Sequence, residues 1–64
     1  MDRVYTEQEL ADHLRMSPKT IEYWRYRRTG PKWFRAGRHV RYRESAVREW
    51  EKAREDQESA RAGA

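Results

Sequence analysis

The sequence predicts a small α+β domain, mainly helical, ordered helix, helix, two-stranded β-hairpin, helix. Three observations carry that expectation. Two helix-start signals stand at Thr6 and Ser17, two short alternating segments flank Gly37, and an apolar stripe of helical period follows from Ala46. A chain of 64 residues forms one small unit. At that size only roughly 60% of the unfolded surface is buried, so the core is marginal and leaves no room for a pocketed enzyme.

Residues 1–4 read as a short lead-in. Thr6-Glu7-Gln8-Glu9 is a capping box, with Thr6 as N-cap and Glu9 reaching back from the third helical position. Tyr5 and Leu10 stand where a hydrophobic staple places them, and Leu10, Ala11 and Leu14 form the apolar stripe of a helix over 7–14. A helix this short is not stable alone, so it depends on packing. Arg15 and Met16 are all that separate it from the next cap. The two helices therefore turn sharply onto each other, and the small side chain of Ala11 permits close approach.

Ser17 is a good N-cap, and Pro18 suits the first helical position because the N–H that proline lacks is unpaired there anyway. Ile21, Trp24, Arg25 and Arg28 share one side of this helix; Lys19, Glu22, Tyr23 and Tyr26 share the other. The first side buries Ile21 and Trp24, and the second is left to touch something. Thr29-Gly30-Pro31 stops the helix, with Gly30 relaxing its C-terminal end. Two strand segments follow, 32–36 and 39–43, joined at Gly37-Arg38. Alternation along the chain places Phe34 and Ala36 with Val40 and Tyr42 on one face, leaving Arg35, Arg41 and Arg43 on the other.

The final helix begins near Glu44 or Ser45, with Ala46, Val47, Trp50 and Ala53 as its stripe and Glu44 supporting Arg48 one turn on. Trp50 is the residue expected to close the core. Beyond Arg54 no large apolar residue occurs, so residues 1–54 are expected to form the domain and 55–64 a polar tail that frays or stays disordered. The expected core is Leu10, Ala11, Leu14, Ile21, Trp24, Phe34, Val40, Tyr42, Val47 and Trp50. This arrangement is a winged helix-turn-helix.

Charge points to the partner. Charged residues make up 41% of the chain and the net charge is +4, which favours an acidic ligand. The charge is polarised: residues 1–43 hold eleven Lys/Arg against five Asp/Glu, and residues 44–64 four against six. From Arg25 to Arg43 there are eight basic residues and no acidic one. Twelve of the fifteen basic residues are arginine, whose planar fork suits phosphates and guanine edges, although a G+C-rich genome also enriches arginine.

Other classes find no support. Without cysteine there is no disulfide and no thiolate metal site. His13 and His39 lack accompanying ligands, so no metal or cofactor is expected. Ser17 is occupied as a cap and no nucleophile stands beside a base, so the chain is expected not to be an enzyme. No apolar run approaches the ~20 residues of a membrane span, and no signal-peptide core is present; the expected location is the cytoplasm.

On the second helix the candidate DNA-binding residues are Ser17, Lys19, Thr20, Glu22, Tyr23, Tyr26 and Arg27. Lys19 lies near the helix N-terminus, where it and exposed N–H groups meet phosphate. Tyr23 and Tyr26 suit thymine methyls, sugars or phosphates; Glu22 accepts from cytosine or repels wrong registers. The alternative is an ordinary solvated helix face. On the hairpin and its flanks the candidates are Arg25, Arg35, Arg38, His39, Arg41 and Arg43. Arg38 at the tip is the expected minor-groove insertion, and Arg35 and Arg41 the expected phosphate clamps. The competing reading is a charged edge that prevents strand-to-strand aggregation. Arg25 and Arg28 either reach phosphate from the helix flank or pair with acidic residues of the first helix. Trp33 either caps the core edge or lies exposed for a neighbouring protein.

Taken together, residues 6–50 resemble the excisionase-type subgroup of MerR-like winged helix-turn-helix proteins, the recombination directionality factors of phages and integrative elements. The residues that carry the likeness are Thr6-Glu7, Ala11, Leu14, Ser17-Pro18-x-Thr20-Ile21-x-x-Trp24, Gly30-Pro31, Gly37-Arg38-x-Val40-Arg41-Tyr42-Arg43 and Trp50. The resemblance implies a second helix in the major groove and a wing in a minor groove or on phosphates. It implies sequence-specific DNA binding and bending, in the cytoplasm of a bacterial host, by a protein that directs a separate integrase to excise an integrated element. The same module serves stand-alone transcription regulators, a second reading; a third is a protein-interaction module working through the acidic C-terminal segment. The family usually has a glycine in the turn after Leu14, where this chain has Arg15. Either that turn is strained or its backbone avoids positive φ. Without a heptad repeat for a stable dimer, binding is expected as a cooperative head-to-tail row on repeated attachment sites.

Overall fold

The computed structural model describes residues 2–63, as β1 (Val4–Thr6), α1 (Glu7–Leu14), α2 (Pro18–Arg27), β2 (Phe34–Ala36), β3 (His39–Arg43) and α3 (Glu44–Gly63). Local signals set the helix starts. Thr6 Oγ1 accepts from the Glu9 amide at 3.0 Å while Glu9 Oε1 accepts from the Thr6 amide at 2.9 Å, completing the capping box. Ser17 Oγ accepts from the Lys19 amide at 3.2 Å, and Pro18 opens α2.

Both helices of the helix-turn-helix end in the same way. Arg15 (φ 56) and Arg28 (φ 55) are left-handed, and their amides bond back to Asp12 and Arg25 carbonyls, each at 3.2 Å. The next amides, of Met16 and Thr29, bond to Ala11 and Trp24 carbonyls at 2.8 and 2.9 Å, so each end is a Schellman motif. Arg15 therefore does take the positive φ that a glycine would ease. Arg28, not Gly30, terminates α2. Gly30 follows at φ 80, where a Cβ would stand 2.8 Å from Trp24 Cε3, so it serves close packing against the indole.

The lead-in is partly a strand. β1 pairs antiparallel with β3 (Val4↔Arg43, Tyr5↔Tyr42, Thr6↔Arg41), giving a three-stranded sheet in the order β1-β3-β2 rather than an isolated hairpin. The hairpin register corrects the expected faces. The two-residue loop sets Ala36 opposite His39, Arg35 opposite Val40 and Phe34 opposite Arg41. Residues opposite one another share a face, so Arg35 lies with Val40 and Tyr42 on the helix side, and Phe34 and Ala36 lie with His39, Arg41 and Arg43 on the outside. Alternation holds within each strand, but the loop length sets the phase between strands.

Leu10, Ala11, Ile21, Tyr42 and Val47 form the core, each at most 1% exposed, with Tyr5, Leu14, Trp24 and Val40 packed around them. Two expected core residues stand outside this cluster. Phe34, on the outer sheet face, is half-buried under the Arg43 guanidinium, 5.1 Å from its ring. Trp50 is half-buried and meets Trp24, with ring centroids 5.1 Å apart, while Val47, nearly a turn earlier, occupies the place against the sheet.

α3 begins directly after β3. The Glu44 amide donates to the Arg3 carbonyl at 2.8 Å, and the Asp2 carboxylate accepts from the Ser45 amide and hydroxyl, both at 2.9 Å. The helix passes residue 54 unbroken, so the segment expected to fray is helical through Gly63, while residue 64 lies outside the described residues. Arg54–Glu58 (3.9 Å) and Arg61–Glu58 (3.8 Å) pair along this polar half. Exposed pairs of that kind stabilise a helix by only a few tenths of a kcal/mol each, beside good intrinsic propensity. Among the described residues no helix is long and apolar enough to cross a membrane.

Candidate nucleic-acid interface

α2 is held by Ile21 in the core and by Trp24 at its edge, which leaves the opposite side in solvent. Tyr23 is 58% and Tyr26 82% exposed, large values for aromatic residues; Lys19, Glu22 and Arg27 are exposed too. Among the described residues the side chains of Lys19, Glu22 and Tyr26 make no hydrogen bond or ion pair. The Arg27 guanidinium lies 5.9 Å from the Tyr23 ring centroid. Thr20 is half-buried, and Ser17, although exposed, spends its hydroxyl oxygen on the helix cap.

The arginines fall into distinct groups. Arg25 Nε donates to Glu7 Oε2 at 2.8 Å, so of its two expected readings the pairing with an acidic residue of the first helix is the one seen. Its guanidinium also faces the Trp33 ring at 6.0 Å. Arg28 is exposed and makes no such pair among the described residues. Arg35 points to the helix side of the sheet, 5.6 Å from the Trp33 centroid. Arg38 and His39 are exposed at the loop. Arg41 is half-buried and donates from Nη1 to the Val40 carbonyl at 2.8 Å. Arg35 thus stands on the opposite face from Arg41 and Arg43, so the single arginine row expected from alternation is two rows.

Two titratable groups are displaced from their usual values. The hydrogen bond from the Thr6 amide holds the Glu9 carboxyl below its ordinary range, and the charges of Arg3 and Arg41 add to this. Burial pushes the Tyr42 phenol up to about 12; the Glu7 charge adds to the rise, and Arg25 opposes it.

Between the end of α2 and β2 the surface is concave, lined by Arg25, Tyr26, Arg28, Lys32, Trp33 and Arg35 among others. This groove joins the exposed side of α2 to the hairpin. Lys32 and Trp33, expected to open the first strand of the hairpin, lie instead in an irregular connection, since β2 spans only Phe34–Ala36. Trp33 takes neither alternative cleanly: it is 37% exposed, and the Arg25 and Arg35 guanidiniums stand 6.0 and 5.6 Å from its ring centroid. The His13–Glu51 contact between α1 and α3, at 2.9 Å, also escaped the sequence, since neither residue has a local partner pattern. His13 and His39 do not meet, and no group of three or more His, Cys, Asp or Glu side chains that could hold a metal occurs among the described residues.

An exposed helix face carrying amine, guanidinium and phenol groups, beside a basic hairpin, matches the shape and charge of a duplex. The major groove admits an α-helix, and phosphates line its rims. Residues 4–55 match the family described as a helix-turn-helix domain. No curated protein and no solved structure matches the chain significantly.

Proposed function

Because this chain belongs to the helix-turn-helix domain family and carries that family's DNA-binding unit over residues 4–55, we propose that it acts as an excisionase, a non-enzymatic accessory factor for integrase-mediated excision. The observation that carries the reading is the continuity of the exposed face of α2 with the arginine-bearing hairpin across one groove. α2 lies in the major groove, with Lys19, Glu22, Tyr23 and Tyr26 towards base edges and phosphates. The hairpin enters the neighbouring minor groove tip-first with Arg38. A hairpin with arginines on both faces suits that position, since Arg35 meets one phosphate wall and Arg41 and Arg43 the other. The resemblance of Ser17-Pro18 through Trp24 and of Gly37 through Arg43 to excisionases supports the biological role.

Bending follows from engaging two grooves at once, and strand cleavage belongs to the integrase. A single module of this size has an interface of only about 600–1,000 Å², so one site is held weakly. Adjacent copies gain affinity head to tail, the acidic outer part of α3, with Glu55, Asp56 and Glu58, meeting the basic flanks of the next copy. The test is an excision assay with the neighbouring integrase and its attachment DNA, with and without this protein. Excision that requires the protein supports the proposal. Duplex binding with no effect on excision, together with repression of a promoter, would move the assignment to a transcription regulator. Probes with one, two and three sites test the assembly, and equal affinity per site would rule it out.

A further inference from the structure

The groove between α2 and β2 holds three cations that the fold itself does not neutralise. Arg28, Lys32 and Arg35 line it, all exposed, and no acidic side chain does. Among the described residues none of the three forms an ion pair. Arg25, at the groove's inner edge, differs because Glu7 already satisfies it at 2.8 Å. The C-terminal end of a helix normally repels an anion through its free carbonyls. Here the Arg28 and Thr29 amides occupy the Arg25 and Trp24 carbonyls at 3.2 and 2.9 Å, which lowers that penalty. Trp33 provides an apolar side to the groove, and the Arg35 guanidinium stands 5.6 Å from its ring centroid, within cation–π range.

We infer that this groove is a backbone-phosphate site. Arg28 and Lys32 hold a phosphodiester of the strand that passes from the major groove, where α2 sits, to the groove the hairpin enters, and Trp33 packs on the adjoining deoxyribose. The inference rests on the DNA-binding reading above and deepens it, adding Lys32 and Trp33 to the interface and giving Arg28 its partner.

The test uses Lys32→Ala, at an exposed position, and Arg28→Asn, because asparagine tolerates the left-handed backbone at that residue. Binding of the full chain is measured against salt on a random-sequence duplex and on a duplex selected by the wild-type protein from a random pool. Each variant is expected to lower the salt slope by about 1 and to weaken both duplexes by the same factor. Neutral methylphosphonates are also scanned along the selected duplex. One backbone position should weaken the wild type yet cost a protein carrying both Lys32→Ala and Arg28→Asn nothing further. Trp33→Ala should weaken binding with the slope intact. Unchanged slopes for both charge variants, or no position at which probe and variant effects overlap, overturn the site while wild-type binding still supports the DNA reading. Absence of wild-type duplex binding at low salt overturns both.

Discussion

Glu7 and Arg25 tie the first helix to the second: Arg25 Nε donates to Glu7 Oε2 at 2.8 Å, with 25% of the Glu7 and 23% of the Arg25 side chain exposed. The pair spans eighteen positions of sequence and sits beside the buried Tyr42 phenol, whose titration both residues influence. It belongs to the scaffold that aims α2. Arg25→Ala is therefore expected to lower stability by about 1–2 kcal/mol, the range of a partly screened, charge-assisted hydrogen bond, and to leave the salt slope of DNA binding unchanged. Denaturant melts and salt titrations measure the two effects. A slope smaller by about 1 would return Arg25 to the DNA.

Arg15→Gly is expected to stabilise the domain. Arg15 closes α1 at φ 56, ψ 47, a conformation that costs an L-residue about 1–2 kcal/mol. The greater unfolded-state freedom of glycine offsets part of the gain, leaving roughly 0.5–1 kcal/mol. For a domain this small that raises Tm by about 2–8 °C. A fall in Tm would show that the arginine side chain contributes more than its backbone costs.

Gly30→Ala is expected to do the reverse. Its backbone is left-handed at φ 80, and the added methyl would sit 2.8 Å from Trp24 Cε3. The indole would have to shift within the cluster it forms with Trp50, at a cost of about 1–3 kcal/mol. A thermal melt matching wild type would mean that Trp24 moves freely.

Alkaline pH tests the burial of Tyr42. Its phenol is raised from 10.0 to about 12, so the native state keeps a proton that the unfolded chain releases above pH 10. The stability from this group is intact below pH 10 and is lost as pH rises towards 12. Against Tyr42→Phe, the wild type should lose about 1 kcal/mol between pH 9 and pH 11 in urea melts. A constant difference between the two proteins would show that the phenol reaches solvent.

Tyr23→Ala is expected to change sequence preference more than overall affinity. Tyr23 sits mid-helix on the open side of α2, 58% exposed, with Arg27 against its ring. Loss of one base-edge contact should cost about 1–3 kcal/mol on the preferred duplex and little on random sequence. Equal losses on both would place the ring against the backbone.

The sequence by itself determined what one turn of backbone decides. Thr6 with Glu9, and Ser17 with Pro18, set the starts of α1 and α2, because a cap and the amide it satisfies lie within three residues. The period of Leu10, Ala11, Ile21 and Val47 likewise marked the buried faces before any partner was known. The helical outer half of α3 was encoded in its alanine, glutamate and arginine content, but it carries no apolar stripe and so gave no period to read. Tertiary structure decided whatever depends on how distant segments meet. Val4 to Thr6 becomes a strand only because the edge of β3 is there to receive its hydrogen bonds. Arg35 parts from Arg41 because a two-residue loop sets the phase between strands that each alternate correctly. Of the arginines on or beside α2, Arg25 alone among the described residues lies within reach of Glu7; Arg28 is left to the groove, since only the crossing of α1 and α2 chooses which guanidinium a carboxylate meets. Such choices turn on distances between chain segments, to which local spacing is blind.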